Sequence, residues 1–147
     1  MKKILVTGSS GFIGYHLVKR LLSQKYRIIG LDILNTYYDV NLKFSRLSEL
    51  GIDKNKILLN QNVQSKLHSN LKFIKADIAD IEFMKTFMSN EKFDYVINLA
   101  AQAGVRYSIE NPFAYTKSNI TGFLNILEGC RHNEVKHLVY ASTSSVY

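Results

Sequence analysis

Two polar stretches of this 147-residue sequence contain residue types that bind phosphate or transfer protons. The first, TGSSGFIG at residues 7–14, is a glycine-rich turn between an apolar run and a helical pattern. The second, STSS at residues 142–145, follows the apolar run HLVY. Glycine-rich turns bring backbone N–H groups close to phosphates, and hydroxyls take part in proton transfer. Either the hydroxyls form a surface tail without a role, or the two stretches belong to one site.

The glycine-rich turn has the spacing G-x-x-G-x-x-G. Gly8 permits a tight turn from strand to helix, Gly11 lets the backbone approach a pyrophosphate, and Gly14 lets the helix pack close to the strand. The helix N-terminus then offers free N–H groups and a partial positive charge to the phosphates. This context predicts a dinucleotide-binding turn rather than a merely structural one.

An acidic residue, Asp32, ends the second apolar run, 18 residues after Gly14. A carboxylate in this position accepts hydrogen bonds from the 2′ and 3′ hydroxyls of an adenosine ribose. The same charge would repel the 2′-phosphate of NADP, and no arginine immediately follows Asp32. The sequence therefore favours NAD over NADP.

Apolar runs of strand length alternate with helical patterns along the chain. The predicted strands are residues 3–7, 27–32, 71–77, 94–100 and 137–142. The predicted helical stripes are Phe12, Ile13, Leu17, Val18, Leu21 and Leu22, then Ile81, Met84, Phe87 and Met88, and then Ile120, Phe123, Leu124 and Leu127. Asn111 and Pro112 are a typical cap and first residue for the last helix, 112–131. This order predicts an α/β fold, a Rossmann-like doubly wound parallel sheet that is truncated after its fifth strand.

Residues 36–70 interrupt the alternation with a polar stretch. A helix is predicted near 40–50, with Leu42, Leu47 and Leu50 as its apolar contacts, and a surface insertion follows it. Polar insertions of this kind are usually solvated loops, so no function is expected here.

The composition predicts one soluble domain, residues 1–147, because 46% hydrophobic and 21% charged residues are ordinary for a globular chain. The net charge of +7 comes from scattered lysines, which predicts no nucleic-acid partner. No apolar run reaches the ~20 residues of a membrane span, and MKKILV is too short for a signal peptide. A single cysteine, Cys130, suits the reducing cytoplasm, and four separate histidines predict no metal site.

With these residues placed, the sequence resembles the extended short-chain dehydrogenase/reductase family, whose fingerprint TGxxGFxG is here TGSSGFIG. Within that family it is similar to the UDP-glucuronate 4-epimerases, a group of bacterial capsule and plant wall enzymes that work in polysaccharide biosynthesis. The similarity covers GLDILNTYYDVNLKFSRL, KADIAD, DYVINLAAQAGVRYSIENP and HLVYASTSSVY. AAQAGVRYS separates this group from UDP-galactose epimerases and sugar dehydratases.

The resemblance implies a set of contacts to NAD. The Asp77 carboxylate would accept from the adenine amine beside Ile78, Asn35 would help hold the adenosine ribose, and Asn119 would face the cofactor from its helix. Small side chains would let the cofactor lie flat. The implied cofactor-binding residues are Gly8, Gly11, Phe12, Ile13, Gly14, Asp32, Asn35, Asp77, Ile78, Leu99, Ala100, Ala101, Asn119 and Ala141.

The resemblance also implies residues for a UDP-sugar substrate. Thr143 matches the catalytic Ser/Thr, whose hydroxyl would bond the sugar's 4-hydroxyl and share in its proton transfer. Ser144 and Ser145 would meet the sugar ring or the glucuronate carboxylate. Arg106 has two interpretations, as a carboxylate or phosphate partner or as a structural arginine that orients the AQAGVRYS loop.

In the family, a proton-transferring tyrosine is followed four residues later by a lysine, some two dozen residues beyond the Ser/Thr, and no tyrosine of this sequence has a lysine at that spacing in that place. Tyr147 matches the structural tyrosine of the family's VYG instead. We therefore expect the chain to cover the first half of a homodimeric enzyme that interconverts UDP-glucuronate and UDP-galacturonate through a 4-keto sugar. The C-terminal substrate-binding part would lie elsewhere, and this chain alone would bind NAD weakly or not at all and be inactive.

Two alternatives stay open at this point. One is another NAD-dependent nucleotide-sugar enzyme, a decarboxylase or a 4,6-dehydratase, although a dehydratase would have Asp-Glu where Ser144 and Ser145 stand. The other is a non-catalytic NAD-binding fragment.

Overall fold

The computed structural model describes residues 1–143, which form one six-stranded sheet with helices on both faces. The strands are β1 (Lys2–Thr7), β2 (Tyr26–Asp32), β3 (Asn62–Gln64), β4 (Leu71–Lys75), β5 (Tyr95–Asn98) and β6 (His137–Tyr140). Their order across the sheet is β3-β4-β2-β1-β5-β6. All neighbouring pairs are parallel except β3 and β4. The predicted doubly wound α/β fold is confirmed, and β3 is an addition to the five predicted strands.

The helices connect these strands in the order expected of βαβ units. They are α1 (Phe12–Leu22), α2 (Val40–Glu49), α3 (Ile81–Glu91), α4 (Val105–Glu110), α5 (Pro112–Tyr115) and α6 (Phe123–His132). A 3₁₀ turn covers Lys54–Lys56, and a π-helical stretch, Thr116–Gly122, joins α5 to α6. The sequence did not predict α4 or the π-helical stretch. Asn111 caps α5 by accepting from the Ala114 N–H at 3.2 Å, as predicted.

The central strand β1 divides the core into two layers, because successive side chains of a strand point to opposite faces. Ile4 and Val6 pack in the layer that contains Val18 of α1 and Leu47 of α2. Leu5 packs in the opposite layer, among side chains that include Met84, Met88 and Ile126. Both layers are fully enclosed, which explains the continuous apolar character of KILVT.

The prediction for residues 36–70 is confirmed for the helix and for the surface position of the segment that follows it, and is wrong in two details. The segment after α2 is anchored to the core, because Ile52 and Val63 are buried and β3 pairs with β4. Within α2, Leu42 is 51% exposed whereas Lys43 is 5% exposed. Lys43 thus occupies the inward position that the apolar pattern assigned to Leu42, because its ammonium pairs with the buried carboxylate of Asp32.

The predicted apolar stripe of the last helix also faces the wrong way. Ile120, Leu124 and Leu127 are exposed, while the buried side consists of Gly122, Asn125, Ile126 and Gly129. The inward face is occupied by small residues because the helix approaches its neighbours closely. A Cβ on Gly122 would lie 2.6 Å from Cγ1 of Ile78, and one on Gly129 would lie 2.9 Å from Cγ of Met88.

Three further members of the predicted stripes are exposed rather than buried. Phe12, Ile13 and Ile81 are 67%, 66% and 56% exposed. Each lies in the first turn of its helix, at or next to the residue where the helix begins, so it projects past the packed layer.

None of the helices in residues 1–143 is both long enough and apolar enough to cross a membrane.

Candidate functional site

A cleft lies at the carboxyl edge of the sheet, where parallel α/β folds place their ligands. It encloses about 190 Å³. The predicted cofactor residues that line it are Gly8, Gly11, Asp32, Asn35, Asp77, Ile78, Leu99, Ala100 and Ala101. The chain therefore brings residues from four different strand ends to one place. The other predicted cofactor residues, Phe12, Ile13, Gly14, Asn119 and Ala141, do not line it.

The glycine-rich turn is packed so tightly that two of its glycines, Gly8 and Gly14, leave no room for a side chain. Gly8 has φ of +66°, and a Cβ there would lie 2.9 Å from the Ala100 nitrogen. A Cβ on Gly14 would lie 2.1 Å from the Gly8 oxygen, whereas one on Gly11 would lie 3.1 Å from it. Gly11 is also the N-cap of α1 and contributes no side-chain cap, which leaves the first N–H groups of the helix available to an anion.

A buried hydrogen-bond pair fixes the loop after β5 against the glycine-rich turn. The Thr7 hydroxyl donates to Oδ1 of Asn98 at 2.6 Å and accepts from the N–H groups of Leu99 and Ala100 at 3.2 and 3.1 Å. Sequence analysis missed Thr7 and Asn98. A signal was available, because both are polar residues that end neighbouring parallel strands.

At the end of β2, the Asp32 carboxylate is buried and both of its oxygens accept hydrogen bonds. Its Oδ1 accepts from the Leu34 N–H at 2.8 Å and lies 3.2 Å from Nζ of Lys43, and its Oδ2 accepts from the Ser10 N–H at 3.3 Å. The Lys43 ammonium also donates to Oδ1 of Asn35 at 3.1 Å. Sequence analysis missed Lys43, which the structure places inside the cleft beside the predicted ribose-binding acid.

At the end of β4, Asp77 and Ile78 form the next part of the cleft wall. The Asp77 carboxylate accepts from the Ala79 N–H at 2.9 Å and pairs with Nζ of Lys117 at 2.7 Å. The Ile78 carbonyl accepts from Nδ2 of Asn125 at 2.8 Å. This wall is therefore held in place from the last helix.

Asn119 pairs with the backbone of the loop after β5. Its Nδ2 donates to the Gln102 carbonyl at 2.9 Å, and its Oδ1 accepts from the Gln102 N–H at 2.8 Å. The π-helical stretch that contains Asn119 also brings Ser118 to the cleft wall. The carboxamide thus orients the loop that carries Ala100 and Ala101, and its predicted contact with a cofactor stays a prediction.

A tyrosine cluster, Tyr37, Tyr107 and Tyr115, borders the cleft on the side of α4. The ring centroids of Tyr37 and Tyr107 are 4.9 Å apart, and the Tyr115 hydroxyl donates to the Gly104 carbonyl. Desolvation, followed by the neighbouring Tyr37 and Tyr107, raises the pKa of Tyr115 above its ordinary value. Tyr115 is therefore a hydrogen-bond donor at neutral pH and not a base.

The residues predicted to bind the sugar are Arg106, Thr143, Ser144 and Ser145. Arg106 lies on α4, is exposed, and has no ion-pair partner within residues 1–143, so neither of its interpretations is decided. Ala141 donates its N–H to the Asn98 carbonyl at 3.2 Å, and Thr143 is exposed. Ser144 and Ser145 lie outside the described residues.

The fit of a dinucleotide to this cleft rests on three observations. Gly8 and Gly14 allow the turn at the cleft to pack more closely than any side chain would permit. The N-terminus of α1 has no side-chain cap, so its first N–H groups are available to an anion. The buried Asp32 carboxylate lies at the cleft wall. Fold and site together define a dinucleotide-binding protein of the Rossmann type.

Comparison with known sequences makes this class specific. Residues 4–147 match the NAD dependent epimerase/dehydratase family, and the chain belongs to it. NAD is the cofactor of this family, as predicted. A UDP-glucuronate 4-epimerase of Thermodesulfobacterium geofontis is 45% identical over 97% of the chain and 40% of its own length. UDP-glucuronate 4-epimerase 4 of Arabidopsis thaliana is 41% identical over 98% of the chain and 30% of its own length.

A solved structure shares the same architecture. The UDP-glucuronic acid 4-epimerase of Bacillus cereus, in complex with UDP-glucuronic acid and NAD, superimposes with a TM-score of 0.80 and 33% identity. The match covers 99% of this chain and 41% of that one. The chain thus spans between 30% and 41% of the length of these relatives.

Proposed function

We propose that this chain is the NAD-binding portion of a nucleotide-sugar 4-epimerase that interconverts UDP-glucuronate and UDP-galacturonate through a 4-keto sugar. The observation that carries the proposal is the cleft at the carboxyl edge, where Gly8, Gly11 and Asp32 meet Ala100 and Ala101. The relatives named UDP-glucuronate 4-epimerase that match nearly the whole chain support the choice of substrate.

In this proposal each part of the cleft holds one part of the cofactor. The backbone around Gly8 and Gly11 binds the pyrophosphate, Asp32 accepts from the adenosine ribose hydroxyls, and Asp77 accepts from the adenine amine. When bound, NAD supplies reversible oxidation and reduction at C4 of the sugar. The small side chains of Ala100 and Ala101 leave room for the cofactor beside the Gly8 turn.

The sugar would be held at the end of β6. Thr143 bonds the 4-hydroxyl and shares in its proton transfer, and Ser144 and Ser145 contact the ring or the glucuronate carboxylate. The proposed chemistry also needs a base, which the family supplies as a tyrosine followed four residues later by a lysine. The sequence contains no such pair after Thr143. The epimerase activity is therefore proposed for a protein that includes this pair.

The test compares this chain with a longer protein that carries the tyrosine and lysine. Each is incubated with UDP-glucuronate and NAD, and the sugar nucleotides are separated and quantified. We expect UDP-galacturonate from the longer protein and none from the 147-residue chain. Formation of UDP-galacturonate by this chain alone would contradict the assignment of the base, and its absence in both would contradict the proposed reaction.

The proposal includes a homodimer of the intact protein, formed through the exposed apolar side of the last helix. Phe113, Ile120 and Leu124 are 83%, 65% and 54% exposed. Light scattering after gel filtration tests it: Leu124→Lys should lower the measured mass of the intact protein to that of one chain. Val105→Lys, a change on the exposed side of α4, is the control and should leave the mass unchanged.

A further inference from the structure

The Asp32 carboxylate does not act as an isolated negative charge. Asp32 and Lys43 are each 5% exposed, and Nζ of Lys43 lies 3.2 Å from Oδ1 of Asp32 and 3.1 Å from Oδ1 of Asn35. An ammonium has three N–H donors, so these two contacts leave one for a ligand. The sequence predicts that the Asp32 charge repels a 2′-phosphate. The neighbouring positive charge of Lys43 partly offsets this repulsion.

A second cation lies next to this pair. Arg46 follows Lys43 by one turn of α2, and its Nη1 donates to the Ser10 carbonyl at 3.0 Å and to the Tyr38 hydroxyl at 3.3 Å. Nζ of Lys43 lies 5.2 Å from the centroid of the Tyr38 ring, and Tyr38 lines the cleft. The two cations thus flank one tyrosine at the cleft wall. Together with Asp32 they carry a net charge of +1.

We propose that Lys43 and Arg46 form a phosphate-binding pair at the ribose end of the cofactor cleft, and that Asp32 masks it by holding the Lys43 ammonium. This inference rests on the proposed cofactor site and names the residues that set its specificity. An adenine nucleotide with a free 2′-hydroxyl is preferred because Asp32 accepts from the hydroxyl and holds the Lys43 ammonium. Once Asp32 is neutral, a 2′-phosphate becomes the anion nearest to both cations, and charge-assisted bonds to lysine and arginine favour it.

The test measures the binding of 5′-AMP and of adenosine 2′,5′-bisphosphate by isothermal titration calorimetry, in the longer protein that carries the tyrosine and lysine. Wild-type protein should bind 5′-AMP more tightly than the bisphosphate. Asp32→Asn should reverse this order and bind the bisphosphate at least about tenfold more tightly than 5′-AMP. Adding Lys43→Met to Asp32→Asn should remove the gain.

A second variant keeps the test independent of the buried pair. Arg46 is only half-buried and has no acidic partner within residues 1–143, so Arg46→Met preserves the Asp32–Lys43 contact. Arg46→Met should lower the affinity for the bisphosphate by about three- to tenfold and change the affinity for 5′-AMP by less than about twofold. Arg20→Met, on the exposed end of α1, removes the same charge at a remote place and should change neither. Circular dichroism and thermal unfolding verify that each variant is folded.

The outcomes separate this inference from the proposed function. If wild-type protein binds neither nucleotide, the proposed cofactor site is wrong and the inference falls with it. If wild-type protein binds 5′-AMP but folded Asp32→Asn shows no gain for the bisphosphate, only the inference is wrong. If Arg46→Met lowered the affinities for both nucleotides equally, the inference would also be contradicted.

Discussion

The two ends of the cleft differ in how completely this chain builds them. At the Asp32 end, the carboxylate and the Lys43 ammonium are buried and hydrogen-bonded to each other, to Asn35 and to two backbone N–H groups. At the Thr143 end, Val139 and Tyr140 of the outermost parallel strand are 46% and 53% exposed. Nucleotide recognition therefore depends on preorganised groups within the chain, whereas Thr143, which is proposed for sugar chemistry, is exposed.

The largest effect is expected for a substitution in the glycine-rich turn, which lies at the Asp32 end of the cleft. Gly14→Ala would place a Cβ 2.1 Å from the Gly8 oxygen and 2.8 Å from its carbonyl carbon, both backbone atoms that cannot give way cheaply. We expect the free energy of unfolding to fall by about 3 kcal/mol, although alanine is the better helix former. Binding of 5′-AMP should fall below detection. Urea denaturation and calorimetry measure the two effects.

Gly11→Ala is the matched control, because its Cβ would meet one atom at 3.1 Å. It should cost about 1 kcal/mol or less. Equal losses in the two variants would mean that the turn adapts to side chains, and the Asp32 end would then not be preorganised.

The next effect concerns the loop that joins the two ends. Asn119→Ala removes both hydrogen bonds to the Gln102 backbone, which is buried. We expect a loss of about 2 kcal/mol and faster hydrogen exchange of the Gln102 amide. Asn119→Asp keeps the acceptor and loses the donor, so its loss should be intermediate. If the Gln102 amide exchanged equally fast in wild type and Asn119→Ala, the Asn119 carboxamide would not hold this loop in place.

A smaller effect is expected at the Thr143 end. Tyr140 pairs with Phe123 at a ring-centroid distance of 5.0 Å and is half-exposed. Tyr140→Ala should cost about 1 kcal/mol and leave the affinity for 5′-AMP within about twofold. Chemical denaturation and titration on the same sample measure both. If nucleotide affinity fell as far as it does in Gly14→Ala, the two ends would not be independent.

The smallest effect is a labelling rate that does not alter stability. Cys130 of α6 packs against the layer that contains β6, and burial raises the pKa of its thiol from the ordinary 9.0 to about 11. Because the thiolate is the reactive form, at pH 8 the folded protein should react with iodoacetamide about 100-fold more slowly than the urea-unfolded chain. The folded rate should rise about tenfold per pH unit between pH 7 and 9. A folded rate equal to the unfolded one would show that the β6 side opens readily.

The sequence was sufficient for the fold and for much of the site, because strand periodicity and glycine spacing are local signals. TGSSGFIG and Asp32 were found this way, and both lie where they were expected. Lys43 could not be found, since the local pattern of α2 favoured Leu42 as the inward residue. Only the approach of α2 to the end of β2 shows that a buried acid needs a cation there.

The last helix shows a different reason for failure. The predicted stripe had the correct helical spacing, but the buried residues Gly122, Asn125, Ile126 and Gly129 repeat the same spacing two positions later. Two residues correspond to roughly half a turn, so the assignment was inverted. Apolar size was used to select the inward side, whereas close contact with Ile78 and Met88 required small residues.

The short antiparallel strand β3 has a consequence for how the molecule behaves in concentrated solution. Its three residues offer few unpaired N–H and C=O groups, and Nε2 of Gln64 also donates to the Leu71 carbonyl at 2.7 Å. A short edge strand such as β3 is a poor template for pairing with a strand of another molecule. Within residues 1–143 β6 is paired only with β5, so strand pairing between two molecules would begin at β6. Colloidal stability should therefore respond to charges added along β6 and be insensitive to charges added along β3.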